Sequence, residues 1–161
     1  MGGGVMTNHV QEYFKSVCEA YSIGNIETSY NAPIMALMTQ FGCNARDLSG
    51  GRSRQAGENP DIKIWRGDAE ITETEPFAMI EVKKIGGIDA RAKTQVKKGA
   101  LLFGYAILTD NRRWEFWRAG ENEMYSGVPL MDLTDGKLVL NEDRIELFIS
   151  LIQDFGDVIK K

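Results

Sequence analysis

The run Phe77-Ala78-Met79-Ile80-Glu81-Val82-Lys83 constrains this chain more than any other stretch. It is apolar almost throughout, the mark of a strand covered on both faces. Gly86-Gly87 closes it. Two charges, Glu81 and Lys83, interrupt its apolar character, and an internal strand rarely carries charge without a purpose. The chain around it has 161 residues, of which 43% are hydrophobic and 26% charged. That is enough for one domain spanning residues 1–161 with a real core and no staples.

The remaining elements follow from periodicity and breakers. Val10, Tyr13, Phe14, Val17 and Tyr21 recur at helical spacing and predict a helix over residues 7–21, capped by Thr7 or Asn8. A break at residues 22–25 precedes a second helix over 27–41, with Ile34, Leu37, Met38 and Phe41 on one face and Gly42 as its stop. Residues 44–60 are polar and Gly-rich and read as a mobile loop. Asp61 opens an alternating strand to Trp65, and an acidic turn over 66–76 leads to the apolar strand. A helix over 89–103 and a short buried strand over 105–108 come next. Asp110-Asn111 turns into the hairpin partner Trp114-Glu115-Phe116-Trp117-Arg118. Another strand is expected near 137–140 and a closing amphipathic helix over 141–155, capped by Asn141. Helices flanking a central mixed sheet make an α/β (α+β) domain.

Composition narrows the chemistry. His9 is the only histidine, so a Ser-His-Asp triad is excluded except around that residue, and His-rich metal sites are excluded altogether. Two cysteines, Cys18 and Cys43, cannot form a disulfide framework or a four-Cys zinc site. No apolar run is long enough for a membrane span, and the first residues lack the pattern of a signal peptide. A cytoplasmic protein without a membrane partner is expected. Carboxylates, lysines and arginines must carry any catalysis.

Those groups come together in the motif. Strand residues i and i+2 share a face, so Glu81 and Lys83 project together and Val82 enters the opposite layer. A turn brings Asp61, at the head of the preceding strand, back beside them. Two carboxylates and an ammonium then converge. Carboxylate oxygens suit Mg²⁺, which keeps several of its waters, and Mn²⁺ can take the same place. Such an ion polarises a phosphodiester and acidifies bound water, while Lys83 orients that water or stabilises developing charge. The tripeptide Glu-x-Lys is common. Pro60-Asp61 at a strand start one hairpin earlier is not, and the pair of features carries the reading.

The arrangement resembles the PD-(D/E)xK nuclease superfamily, with Asp61, Glu81 and Lys83 on the motif positions. Glu27-Thr28-Ser29-Tyr30 at a helix start, and the segment from Tyr105 to Trp117, are similar to the N-terminal nuclease domain of type I and type ISP restriction enzymes. The resemblance covers residues 25–118. It implies a restriction-endonuclease-like core and Mg²⁺-dependent DNA cleavage, with Asp61, Glu81 and Glu27 at the metal. It also implies motor and methyltransferase parts in other domains or subunits, since this chain has neither a phosphate loop nor an Asn-Pro-Pro-Tyr signature. A glutamine on the following helix matches Gln95, but the family's aromatic four residues later is Gly99 here. Glu27 also has an ordinary reading, as a carboxylate favoured by the helix macrodipole.

Net charge is −4, which taken whole argues against a passive nucleic-acid binder. The charge is unevenly spread. The negative excess sits mainly in residues 119–161, whereas Lys83, Lys84, Arg91, Lys93, Lys97 and Lys98 face one acid, Asp89, within 82–98. With Gln95, and with Arg52 and Arg54 from the Gly-rich segment, these are the candidate DNA contacts, and phosphate contact by them is sequence-independent and salt-sensitive. Trp114, Phe116 and Trp117 are expected in the core and sheet rather than as base-stacking platforms. Two alternatives remain: a non-catalytic DNA- or partner-binding domain on the same fold, and an acidic interaction protein with a coincidental motif. Oligomeric state is not legible.

Overall fold

The computed structural model describes residues 2–47, 62–65, 78–120 and 126–160. It is a mixed α/β fold with a six-stranded sheet flanked by helices. Helix α1 spans Gly2–Ile23, and a 3-10 turn over Glu27–Tyr30 leads into α2, Asn31–Gln40. Strands β1 (Asn44–Asp47), β2 (Ile62–Trp65) and β3 (Ala78–Val82) precede α3 (Ala90–Phe103). Strands β4 (Tyr105–Thr109), β5 (Arg113–Arg118) and β6 (Ser126–Pro129) complete the sheet. A hairpin of β7 (Met131–Thr134) and β8 (Lys137–Leu140) stands apart, and α4 (Ile145–Lys160) closes the chain after a 3-10 turn.

The sheet runs in sequence order from β1 to β6. All neighbours are antiparallel except β3 and β4, which are parallel and joined by α3. The apolar strand is therefore internal, as its composition requires, with β2 on one side and β4 on the other. Alternation divides its side chains. Ala78, Ile80 and Val82 enter the larger core with α1, α2 and α4, whereas Met79 packs with Ala92, Val96 and Ala100 of α3. Trp114 and Phe116 are fully buried in the larger core and Trp117 lies under α3, which bears out their reading as structural aromatics.

Several local expectations change. Helix α1 begins at Gly2, so Thr7 and Asn8 lie inside it and cap nothing. The second helix opens as a 3-10 turn before becoming α-helical at Asn31. Residues 44–47, expected within a loop, form β1 against β2. Strand β8 has a partner that periodicity did not show, and Asp135 (φ +51°) and Gly136 (φ +76°) make the two-residue turn between β7 and β8. Asn141 does not cap with its side chain. Its Nδ2 donates to the Pro129 carbonyl at 2.9 Å, fastening α4 to the end of β6. The expected acidic turn over 66–76 and the rest of the Gly-rich segment, 48–60, lie outside the described residues.

Candidate active site

Glu81 and Lys83 reach one place because β3 alternates. Glu81 shares the face of Met79, and its side chain is only 12% exposed. Lys83 follows the last strand residue, yet its N–H still donates to the Thr109 carbonyl at 2.9 Å, continuing the parallel ladder by one step. Its Nζ stands 3.3 Å from Glu81 Oε1 and 3.5 Å from Glu27 Oε1. The early acidic residue and the strand motif, more than fifty positions apart, thus meet at one ammonium.

A latch makes that meeting possible. Asn25 donates through Nδ2 to the Ile85 carbonyl at 2.8 Å and accepts through Oδ1 from the Ile85 N–H at 2.9 Å. The Tyr30 hydroxyl donates to the same oxygen at 2.7 Å. The paired residues lie two positions before Glu27 and two after Lys83. The amide therefore fixes the distance between the two segments that carry the charges. Asp110 adds a second tie. Its Oδ2 accepts from the Gly86 N–H (3.0 Å) and Arg112 Nε (3.3 Å), and its Oδ1 from the Arg113 N–H (2.9 Å). Asn111, buried and at φ +70°, completes the β4–β5 turn and accepts a hydrogen bond from the Tyr13 hydroxyl. Left-handed Asn is a familiar turn residue.

Burial works to lower the Lys83 pKa, but the Glu81 and Glu27 carboxylates outweigh it and the value ends above the usual lysine range. Lys83 is thus an ammonium at neutral pH. It serves as a fixed positive charge and donor, not as a proton acceptor.

Asp61 lies outside the described residues, as do Arg52 and Arg54. Ile62, the residue after Asp61, pairs with Ile80, the neighbour of Glu81. Among the described residues no group of three or more His, Cys, Asp or Glu is placed to hold a metal. Glu27 and Glu81 nevertheless offer the hard oxygen donors that Mg²⁺ accepts, and one or two carboxylates besides water and phosphate suffice for that ion. The donor chemistry fits.

The candidate DNA contacts divide by exposure. Lys84, Arg91, Lys93 and Lys98 are exposed and Lys97 is half-buried. Gln95 is half-buried, and its Oε1 is buried without a hydrogen-bond partner among the described residues. At Gly99 the helix and the strand below it approach closely. A Cβ on Gly99 would stand 2.8 Å from Met79 Sδ, so α3 lies too close to β3 for a tyrosine there without repacking.

Sequence reasoning missed three participants. Asn25 sat in a segment read only as a helix break, and Asp110 in one read only as a turn. Glu115 sat in an alternating strand, where the signal was available: a carboxylate between two tryptophans. It is 1% exposed, on the face of Trp117, and Leu108 is the register partner of both Glu115 and Glu81. Among the described residues no helix is long and apolar enough to cross a membrane. Comparisons with protein families, with curated proteins and with solved structures find no match to this chain.

Proposed function

We propose that this chain is a Mg²⁺-dependent DNA endonuclease domain of the PD-(D/E)xK type, the nuclease part of a restriction-modification or related DNA-processing system. The observation that carries the reading is the Lys83 ammonium set between Glu81 and Glu27 at the end of an internal strand. Glu81 and Glu27, with Asp61, would hold the ion, which when bound supplies Lewis acidity toward the scissile phosphate and the attacking water. Lys83 donates to the phosphate or to the water and balances charge that develops on the phosphorus oxygens. Asn25 keeps Glu27 within reach of that lysine. The exposed Lys84, Arg91, Lys93 and Lys98 offer phosphate contacts beside the site. Motor and methylation activities would come from partner domains or subunits.

Plasmid cleavage tests the reading, with Mg²⁺ or Mn²⁺ and with wild type, Asp61→Ala, Glu81→Ala and Lys83→Ala. Each substitution is expected to slow cleavage by a factor on the order of 100 or more, the usual cost of removing a preorganised charge. Equal cleavage by all four proteins would overturn the assignment. DNA binding by a wild type that cuts with neither ion would favour the non-catalytic domain instead.

A further inference from the structure

Beside the charged cluster, between the start of α3 and the β4–β5 turn, lies a pocket of about 460 Å³ lined in part by Asp89, Lys93, Asp110, Arg112 and Glu115. Its volume is within the range of small-molecule sites. Two of its acids are engaged. Asp89 caps α3 by accepting from the Ala92 N–H, and Asp110 holds the turn as described. Glu115 is different. Its side chain is 99% buried; Oε2 accepts from Arg113 Nε at 2.9 Å and stands 4.0 Å from Lys93 Nζ, while Oε1 has no hydrogen-bond partner among the described residues. A buried carboxylate oxygen without a donor is costly.

We infer that this pocket is a nucleotide subsite for a base that carries an exocyclic amino group. The inference rests on the nuclease reading for its placement on a DNA strand. The carboxylate already faces two cations, so a third cation gains little there, and a neutral N–H donor is what Oε1 lacks. Around that acceptor, Lys93 and Arg112 are partly exposed cations, and Arg112 spends only Nε on Asp110 among the described contacts. A ligand with a neutral amino donor at one end and an anion at the other fits both parts. A nucleotide has that form; an amino acid, with its ammonium group, does not. Glu115 accepts from the amino group as carboxylates do from cytosine N4, and Lys93 and Arg112 take the phosphate. Glu115 lies two strand spacings from Glu81 through Leu108, roughly 10 Å, so one DNA strand can occupy both places.

The test is calorimetric binding by the full chain in EDTA, where no cleavage occurs. The ligands are dCMP, dUMP, deoxycytidine and the hexanucleotide of deoxycytidine. Cytosine and uracil have the same shape and differ in the donor that Glu115 would read. Wild type is expected to bind dCMP about tenfold more tightly than dUMP. Glu115→Gln should bring that ratio close to one. Lys93→Ala with Arg112→Ala should weaken dCMP about tenfold and leave deoxycytidine unchanged. Equal binding of dCMP and dUMP by wild type, or an unchanged ratio in Glu115→Gln, overturns the subsite. If thermal melting shows that Glu115→Gln does not fold, undiminished dCMP binding by the double variant overturns it instead. A hexanucleotide that binds more weakly than dCMP overturns the assignment to a DNA strand. Selective dCMP binding by a chain that cuts no plasmid upholds the pocket and overturns the nuclease reading alone.

Discussion

Three hydrogen bonds converge on the side chain of Asn25, two from the Ile85 backbone pair and one from the Tyr30 hydroxyl. Truncation would leave a carbonyl, an N–H and a phenol to find other partners in a half-buried place. Each unmade bond of that kind costs about 1 kcal/mol or more. Asn25→Ala is therefore expected to lower the unfolding free energy by about 2 kcal/mol, read as a shift in the urea midpoint with unchanged slope. A loss below about 0.5 kcal/mol, the level of ordinary surface substitutions, would show that the latch is incidental. At this scale the sequence displayed only what alternation displays. Glu81 and Lys83 are two residues apart in a strand, so their common face was legible. Asn25 works across sixty positions of sequence, and no local pattern carries such a contact.

Among the elements, α3 and β3 approach closely at Gly99, where a Cβ would lie 2.8 Å from Met79 Sδ, 2.9 Å from Cγ and 3.0 Å from Cε. Met79 is itself 3% exposed and has little room to retreat. Two effects compete in Gly99→Ala. Alanine gains about 1 kcal/mol of helix propensity, and overpacking costs about 1–3 kcal/mol. The clash is expected to win by about 1 kcal/mol. In a Met79→Ala background the obstacle is gone, and the same substitution should stabilise by about 1 kcal/mol. A double-mutant cycle in urea measures the coupling; an identical effect of Gly99→Ala in both backgrounds would refute the contact. Elements with a strong period were legible: the apolar β3, the alternating β5, and α3 with its buried Ala92, Val96 and Ala100. Strands β1 and β6 were not. Each is four residues long and lies at an end of the sheet order. Asn44-Ala45-Arg46-Asp47 has one apolar residue to declare its pairing, and Ser126-Gly127-Val128-Pro129 includes two residues that strands usually avoid. The β7–β8 hairpin did carry a signal, Asp135-Gly136 between apolar residues, which is the strongest short-range hairpin cue.

Across the whole molecule, the packing of helices on the larger sheet face seals two phenols that report on the integrity of the core. Tyr13 is 3% exposed, donates to Asn111 and packs edge-on to Trp114; Tyr30 is fully buried and donates to Asn25. Burial pushes the Tyr13 pKa well above the usual tyrosine value and raises that of Tyr30 to about 12. In the unfolded chain both would titrate near 10. The folded state thus holds these protons more tightly, and stability falls with pH wherever the native state binds more protons than the unfolded one. The contribution is complete below about pH 10 and is lost as pH rises toward and through the folded values. At pH 11 the two residues together should have removed about 2–3 kcal/mol. Lys83 acts in the same direction, because its carboxylate neighbours also raise its folded pKa. Urea midpoints should hold from pH 8 to about 9.5 and then drop. Phenolate absorbance at 295 nm provides the check: of the five tyrosines, the signal from these two should appear only with the loss of secondary structure by circular dichroism. Full ionisation of all five in a chain that keeps its circular dichroism would mean that the helices do not seal this face of the sheet. The same core holds the site in place, since Tyr30 bonds the Asn25 amide and Tyr13 bonds the turn residue beside Asp110. Alkaline loosening should therefore release the Glu27–Lys83–Glu81 cluster together with the fold rather than before it.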